Sequence, residues 1–168
     1  MQEWIIIASA DKNWGIGFQN RLLARLPEDM KHVSGKTRGK VIVMGRKTLE
    51  SFPGGKPLPN RTNVVLTANT DFYAEGAIIV HNIQQLIDAL KDYQGEIYVF
   101  GGESIYRQLL PFCKKAYITR FNEEYQADSF LPCFDSIDGW RLVKRGEWQK
   151  SVKGIEYRFD EYVNEKID

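Results

Sequence analysis

Two cysteines in 168 residues are too few for a disulfide framework, and two histidines leave little else to hold a metal. Cys113 and Cys133 form no CxxC pair, and His32 and His81 stand far apart in the chain. No zinc site is therefore expected, and both thiols read as free, mostly buried and in a reducing compartment. Charge of one sign is also missing: 23 lysines and arginines face 22 acids, for a net charge of +1. That balance gives no basic face for nucleic acid. Polar or charged residues interrupt every apolar run well short of a membrane span. The opening MQEWIIIASAD has an acid where a signal peptide carries positive charge, and its apolar run is short. It reads as a first strand, and the protein as cytoplasmic. There is no internal repeat and no low-complexity segment. The length suits one domain with a real core, and a monomer is the default expectation.

What the sequence does have is a series of short apolar runs rich in Ile, Val and Tyr. WIIIASA (4–10), KVIVM (40–44), NVVLT (63–67), GAIIV (76–80), EIYVF (96–100) and KKAYITRF (114–121) read as strands. Their apolarity is continuous rather than alternating, as expected of parallel strands covered on both faces. WRLVKRGEW and IEYRFDEYV do alternate, and a short SVKG link between them predicts a closing antiparallel hairpin. Helices fit between several strands. Pro27 suits the first position of a short helix through about Ser34. GRKTLESF starts another directly after KVIVM. Asn82 can cap a third, with Gln85 at the capping-box position and Ile83, Leu86, Ile87 and Leu90 on one face. GGESIYRQLL starts a fourth after EIYVF, and Pro111 ends it. The expected fold is a single-domain α/β protein: a mixed, mostly parallel eight-stranded sheet with flanking helices and an antiparallel C-terminal edge. In such sheets ligands bind beyond the carboxyl ends of the strands.

Two strand-to-helix junctions carry candidate chemistry. VMGRKT places Gly45, Arg46, Lys47 and Thr48 at a helix start. Cations there are mildly unfavourable against the helix dipole, so an adjacent pair fits a nearby anion such as phosphate. They equally fit two side chains pointing into water. VFGGES repeats the arrangement with paired glycines, which either let a ligand approach the backbone or make a tight turn. Together the junctions could hold the two ends of a dinucleotide. Neither is GxGxxG nor GxxxxGK[ST], so the usual Rossmann and P-loop readings fail. LPEDMKHV sets Glu28 and Asp29 in the first turn of a helix, where the dipole favours both. Met30 and Val33 mark an apolar face with Asp29 on its border, while Glu28 is expected in water. A carboxylate lining an apolar pocket needs a partner. Position alone leaves open whether that is a protein cation or a cationic ligand.

DKNWGIG with Asn20, LPEDM, VIVMGRKTLES, KPLPNRTNVVLT, VFGGESIY, AYITRF and ADSFLP follow one another in order and spacing over nearly the whole chain. On these motifs the chain resembles the bacterial dihydrofolate reductases. The resemblance implies that hydride passes from NADPH to C6 of 7,8-dihydrofolate while N5 gains a proton. It implies that Asp29 binds the 2-amino group and N3 of the pteridine, and that Thr119 hydrogen-bonds Asp29 directly or through water. Arg61 would pair with the carboxylate of the substrate's glutamate tail. Ile7, Ala8, Met30, Val33, Phe52 and Leu58 would line the pocket. Ser9 and Ile16 would contact the nicotinamide carboxamide through their backbones, and the stretch from Gly15 to Leu22, which includes Gly17 and Asn20, would be a mobile loop that closes over the site. Gly45, Arg46, Lys47 and Thr48 would hold one phosphate end, with Leu66, Thr67 and His81 near the adenosine, in an adenosine-binding subdomain of about residues 40–90. Phe100 and Gly101 to Gln108, including Gly102, Glu103, Ser104, Ile105 and Tyr106, would hold the pyrophosphate, with a cis peptide between the glycines. Asp128 would support the closing loop. Arg46 favours NADPH over NADH, and no metal is implied. Antifolate inhibitors are possible ligands.

The chain departs from the family pattern in places. Leu22-Leu23-Ala24 replaces LPW, which removes the Trp beside the pteridine and predicts a roomier pocket. Val33 stands where a Phe often stacks on the ligand. Ala68 follows Thr67 where Arg or Ser often helps hold the 2′-phosphate. Two rival readings are a reductase of the same fold acting on a riboflavin precursor and a non-catalytic nucleotide-binding module. Arg61 and the Asp29–Thr119 pair suit a folate, and the module would not need them together.

Overall fold

A strand that is apolar at every position has to be covered on both faces, and the computed structural model, which describes residues 1–167, covers these strands in that way. In chain order the elements begin with β1 (Gln2–Ala10), β2 (Gly15–Phe18), β3 (Arg21–Leu22), α1 (Pro27–Thr37) and β4 (Val41–Gly45). Then come α2 (Arg46–Glu50), β5 (Thr62–Leu66), β6 (Ala77–Val80), α3 (Ile83–Leu90), β7 (Gly95–Gly101) and α4 (Glu103–Leu109). β8 (Lys115–Phe121), β9 (Ser129–Phe130), β10 (Trp140–Arg145), β11 (Gln149–Lys150) and β12 (Glu156–Asn164) complete the order.

The main sheet runs β10-β12-β8-β1-β7-β4-β5-β6. From β8 to β6 every neighbour is parallel. β12 is antiparallel to β8, and β10 is antiparallel to β12. Alternate residues of one strand feed opposite layers of core. Ile6, Val41, Val43, Val64 and Val99 pack on one face, while Ile5, Ile7, Ile42, Met44 and Val65 pack on the other. Each such side chain contributes about 1.5–3 kcal/mol on burial. The mostly parallel sheet and its antiparallel edge are as expected. The chain lays β1 centrally, then inserts β7 between β1 and β4 and adds β8 on the far side of β1. The helices that follow β4 and β7 therefore start beside the end of β1, which is where a cleft opens.

Several local expectations need correction. The closing hairpin is interrupted: β11 pairs with the start of β12, a turn held by Ser151 N–H to the Ile155 carbonyl (2.9 Å) intervenes, and β12 lies inside the sheet between β8 and β10. Helix α1 runs to Thr37 rather than Ser34. Thr37 is fully buried, and its hydroxyl donates to the Val33 carbonyl at 2.8 Å, so tertiary packing carries the helix past Gly35. Asn82 caps α3 as expected, accepting the Gln85 N–H at 2.8 Å. Gln85 reaches back to the N–H of His81, one residue earlier than a capping box. Leu86 and Leu90 are buried, but Ile87 sits at the rim of its face, 37% exposed. Both cysteines are free; Cys113 is buried, whereas Cys133 is exposed. No helix among the described residues is long and apolar enough to cross a membrane.

Candidate active site

A cleft of about 1000 Å³ opens beyond the carboxyl ends of β1, β4, β5 and β7, where α1, α2 and α4 begin. It gathers almost all the residues expected to meet a ligand. Ile7, Ala8, Asp29, Met30, Val33, Phe52, Leu58 and Arg61 line one part. Ser9 lines it from the end of β1, and Ile16, Gly17, Asn20 and Leu22 from the segment that follows. Gly45, Arg46, Lys47, Thr48, Leu66, Thr67 and His81 line the α2 side, and Phe100, Gly102, Glu103, Ser104, Ile105, Tyr106 and Gln108 the α4 side. Of the expected residues, Thr119, Gly101 and Arg107 do not line it.

Thr119 instead stands behind Asp29. Proline at its first position starts α1, buried Leu26 pins the entry, and Asp29 follows within the first turn. β8 runs beside β1 and presents Thr119, itself 2% exposed. Its hydroxyl donates to Asp29 Oδ1 at 2.7 Å, directly and not through water. No Lys, Arg or His among the described residues forms an ion pair with Asp29. Burial pushes its carboxyl up to about 6, against the opposing hydrogen bond from Thr119. The acid at the cleft wall is thus mostly ionised at neutral pH, and its second oxygen has no hydrogen-bond donor among the described residues. Glu28, expected in water, is tethered: it accepts the Ser151 hydroxyl and the Val152 N–H, both at 2.8 Å. Backbone N–H groups of Glu28 and Val152 hold its carboxyl below the ordinary range.

Arg61 is fixed by three neutral acceptors. Nε donates to Thr37 Oγ1 at 3.0 Å, Nη2 to Ser34 Oγ at 2.9 Å, and Nη1 to the Pro59 carbonyl at 2.7 Å. None of the three carries charge, so a preset cation faces the cleft ready for an anionic group. On the α2 side Arg46 is less free than expected, since Nη1 pairs with Glu50 at 2.8 Å. His81 Nδ1 lies 2.8 Å from the Thr67 carbonyl, which can only accept, so Nδ1 carries the proton. At the other junction the Gly101–Gly102 peptide is cis. A Cβ on Gly101 would collide with the ring of Tyr106, whereas one on Gly102 would meet nothing within 4 Å. Gly102 therefore bares its backbone to the cleft. Arg107 turns aside to Glu103 at 3.7 Å.

The expected closing loop is a small sheet of its own, ordered β3-β2-β9. Gln19 and Asn20 take positive φ values of 51° and 63° in the two-residue turn between β2 and β3. Asp128 does meet it: Oδ2 accepts the Gln19 N–H at 3.0 Å, and the Asp128 N–H donates to the Gly17 carbonyl at 3.0 Å.

A family model described as dihydrofolate reductase matches residues 3–164. The chain belongs to the dihydrofolate reductase family. It is 35% identical over 164 residues to the dihydrofolate reductase of Staphylococcus aureus, covering 96% of this chain and 98% of that one. The Staphylococcus haemolyticus enzyme is 33% identical over 159 residues, 95% of this chain and 92% of that one. A solved dihydrofolate reductase from Enterococcus faecalis, complexed with NADP(H) and RAB-propyl, superposes with a TM-score of 0.85 at 30% identity, covering 96% and 95% of the two chains. Membership favours a dihydrofolate reductase over both rival readings.

Against the family pattern the Ala24 departure looks different in three dimensions. Ala24 packs with Leu26, Phe121 and Tyr157 and is not at the cleft wall, where its neighbour Arg25 lies instead. Val33 does line the cleft. Arg21 lines it from within the expected closing loop, whereas sequence reasoning missed Arg25, Ser34 and Ser129 as lining residues. Ser34 had a usable signal, since Met30, Val33 and Ser34 share the i, i+3, i+4 face of α1. Ser129 had none, because it reaches the cleft through a two-residue strand.

Proposed function

We propose that this chain reduces 7,8-dihydrofolate to tetrahydrofolate, as a cytoplasmic monomer with NADPH as reductant. The observation that carries the proposal is Asp29, a cleft carboxylate with one buried hydroxyl donor and no cationic partner among the described residues. A ligand edge with two adjacent N–H donors completes it, and the 2-amino group and N3 of a pteridine form such an edge. Asp29 orients the ring and favours its protonated form. It grips the edge remote from N5 and so leaves water to deliver the proton there. Met30, Val33, Phe52 and Leu58 cover the ring system, and Arg61 takes the carboxylate at the substrate's far end.

The donor set fits the cofactor. Lys47, Thr48 and the backbone of Gly45 suit phosphate beside Arg46, and the bare backbone of Gly102 with Ser104 suits the pyrophosphate. Residues of about 40–90 serve as the adenosine-binding subdomain, with Leu66, Thr67 and His81 beside the base. When bound, NADPH supplies the hydride that dihydrofolate accepts at C6. Ser9, Ile16 and Gly17 orient the nicotinamide, and the β2–β3 hairpin excludes water from the paired rings. Antifolates with a diaminopyrimidine edge compete for Asp29. Loss of NADPH absorbance on mixing with dihydrofolate tests the function. Turnover is expected, and folded protein that turns over neither dihydrofolate nor NADPH contradicts it.

A further inference from the structure

We infer that Glu28, clasped by the turn that precedes β12, is a positioning residue that holds Asp29 against the cleft, an inference that rests on the reading of Asp29 as the ligand-binding acid. The two residues are neighbours in the first turn of α1, but of the two only Asp29 lines the cleft. An acid in the first turn suits the helix dipole, and that alone would account for Glu28. Its contacts go further. Oε1 accepts the Ser151 hydroxyl and Oε2 the Val152 N–H, both at 2.8 Å. The turn is shaped to present these donors. Ser151, 4% exposed, closes it by donating its N–H to the Ile155 carbonyl at 2.9 Å, while its own carbonyl accepts the Gly154 N–H at 2.8 Å. Gly154 takes a φ of 82°, the left-handed conformation that glycine adopts at no steric cost. Val152 leaves its side chain in water, 84% exposed, so what this position turns inward is its N–H.

Asp29 needs such a fastening. Burial pushes its carboxyl up to about 6, and among the described residues Thr119 supplies its one hydrogen bond. A carboxylate so placed lowers its energy by turning out to water wherever the backbone that carries it can give. That backbone is a helix start with no side-chain cap at Leu26, and uncapped helix ends open easily. The clasp supplies what the cap does not. Two charge-assisted hydrogen bonds anchor the residue before Asp29 to a turn that β11 and β12 hold on the main sheet. Leu26, packed with Phe121 and Tyr157, fixes the chain on one side of this pair, and His32, stacked on Phe159, fixes it on the other. Among these anchors the clasp lies next to Asp29, and it can be removed without opening a cavity in the core.

Binding titrations on the full chain test this, with two probes: a 2,4-diaminopyrimidine, which presents the donor edge that suits Asp29, and NADPH. Wild type is compared with Glu28→Gln, Ser151→Ala, the double variant and Asp29→Asn. Glu28→Gln keeps the shape and one acceptor oxygen but loses the charge and the second acceptor. It should weaken the diaminopyrimidine about tenfold, and Ser151→Ala, which removes one donor, about threefold. Both should leave NADPH affinity unchanged, because its phosphate groups belong to α2 and α4. The double variant should bind little worse than Glu28→Gln alone, since both changes break the same bond. A Glu28 that serves only the helix dipole predicts no effect of Ser151→Ala, and one that serves only stability predicts equal loss of both ligands. Either result overturns the inference, as do losses that simply add in the double variant. If Asp29→Asn alone weakens the diaminopyrimidine, the positioning role of Glu28 falls and the reading of Asp29 stands. If Asp29→Asn binds it as wild type does, the reading of Asp29 falls and the positioning role with it.

Discussion

Two titrating side chains on α1 pull stability in opposite directions with pH. Asp29 has its carboxyl raised from 3.8 to about 6 by burial. Between those values the folded state binds more protons than the unfolded chain, so Asp29 stabilises the fold as pH falls and costs stability at neutral pH. His32 stacks on Phe159 at 3.9 Å, and burial, with Lys36 nearby, lowers it from 6.5 to about 4. There the unfolded chain takes the proton first, so stability is lost as pH falls from 6.5 towards 4. The two nearly offset each other over that range. Asp29→Asn should therefore raise the melting temperature of the ligand-free protein at pH 7, by the equivalent of about 1–2 kcal/mol after allowing for solvent in the cleft. It should also expose a steeper loss of stability between pH 6.5 and 4, which adding His32→Gln removes. Thermal melts across pH 4–8 check both, and a flat profile in Asp29→Asn contradicts the assignment. Arg61→Leu should raise KM for dihydrofolate by about 10–100-fold with kcat little changed, because its contact is remote from the reacting atoms and binds substrate and transition state alike. Steady-state kinetics decide this, and an unchanged KM removes Arg61 from the site.

At the scale of elements, the closing hairpin depends on what lies across from it. Two hydrogen bonds join Asp128 to residues 17 and 19, one through its carboxylate and one through its backbone. Asp128→Ala removes the first only. It should speed amide exchange in 15–22 and lower the hydride-transfer rate several-fold, while leaving exchange in the main sheet unchanged. Single-turnover kinetics with exchange on the same variant check it, and unchanged exchange at Gln19 rules out the support. What was legible in the sequence follows from range. Strands β1, β4, β5, β7 and β8 announced themselves, because burial on both faces leaves an unbroken apolar run. β2, β3 and β9 span four, two and two residues, too short for any periodicity. Glu28 could not be read, since its partners Ser151 and Val152 lie more than 120 residues on. The stack of His32 on Phe159 was hidden for the same reason. The capping bond of Asn82 was readable because both partners sit within one turn.

At the scale of the molecule, the parallel sheet brings to one cleft residues drawn from Ile7 to Ser129. Their convergence was legible only through the order of whole motifs, since no spacing between Asp29 and Thr119 predicts a 2.7 Å contact. The topology supplies it, by setting β8 against β1 and starting α1 beside their ends. The cleft also carries more cations than acids: Arg21, Arg25, Arg46, Lys47 and Arg61 against Asp29 and Glu103, in a chain of net charge +1. The local excess suits two anionic ligands. Everything then turns on whether Asp29 faces the pteridine. The most direct measurement is the pH dependence of hydride transfer from NADPH to dihydrofolate in wild type and in Asp29→Asn. The account predicts that the variant loses several orders of magnitude at pH 7 and recovers part of that loss at low pH, where the substrate is already protonated. A variant with wild-type rates across the range would show that Asp29 is only an acid at a helix start.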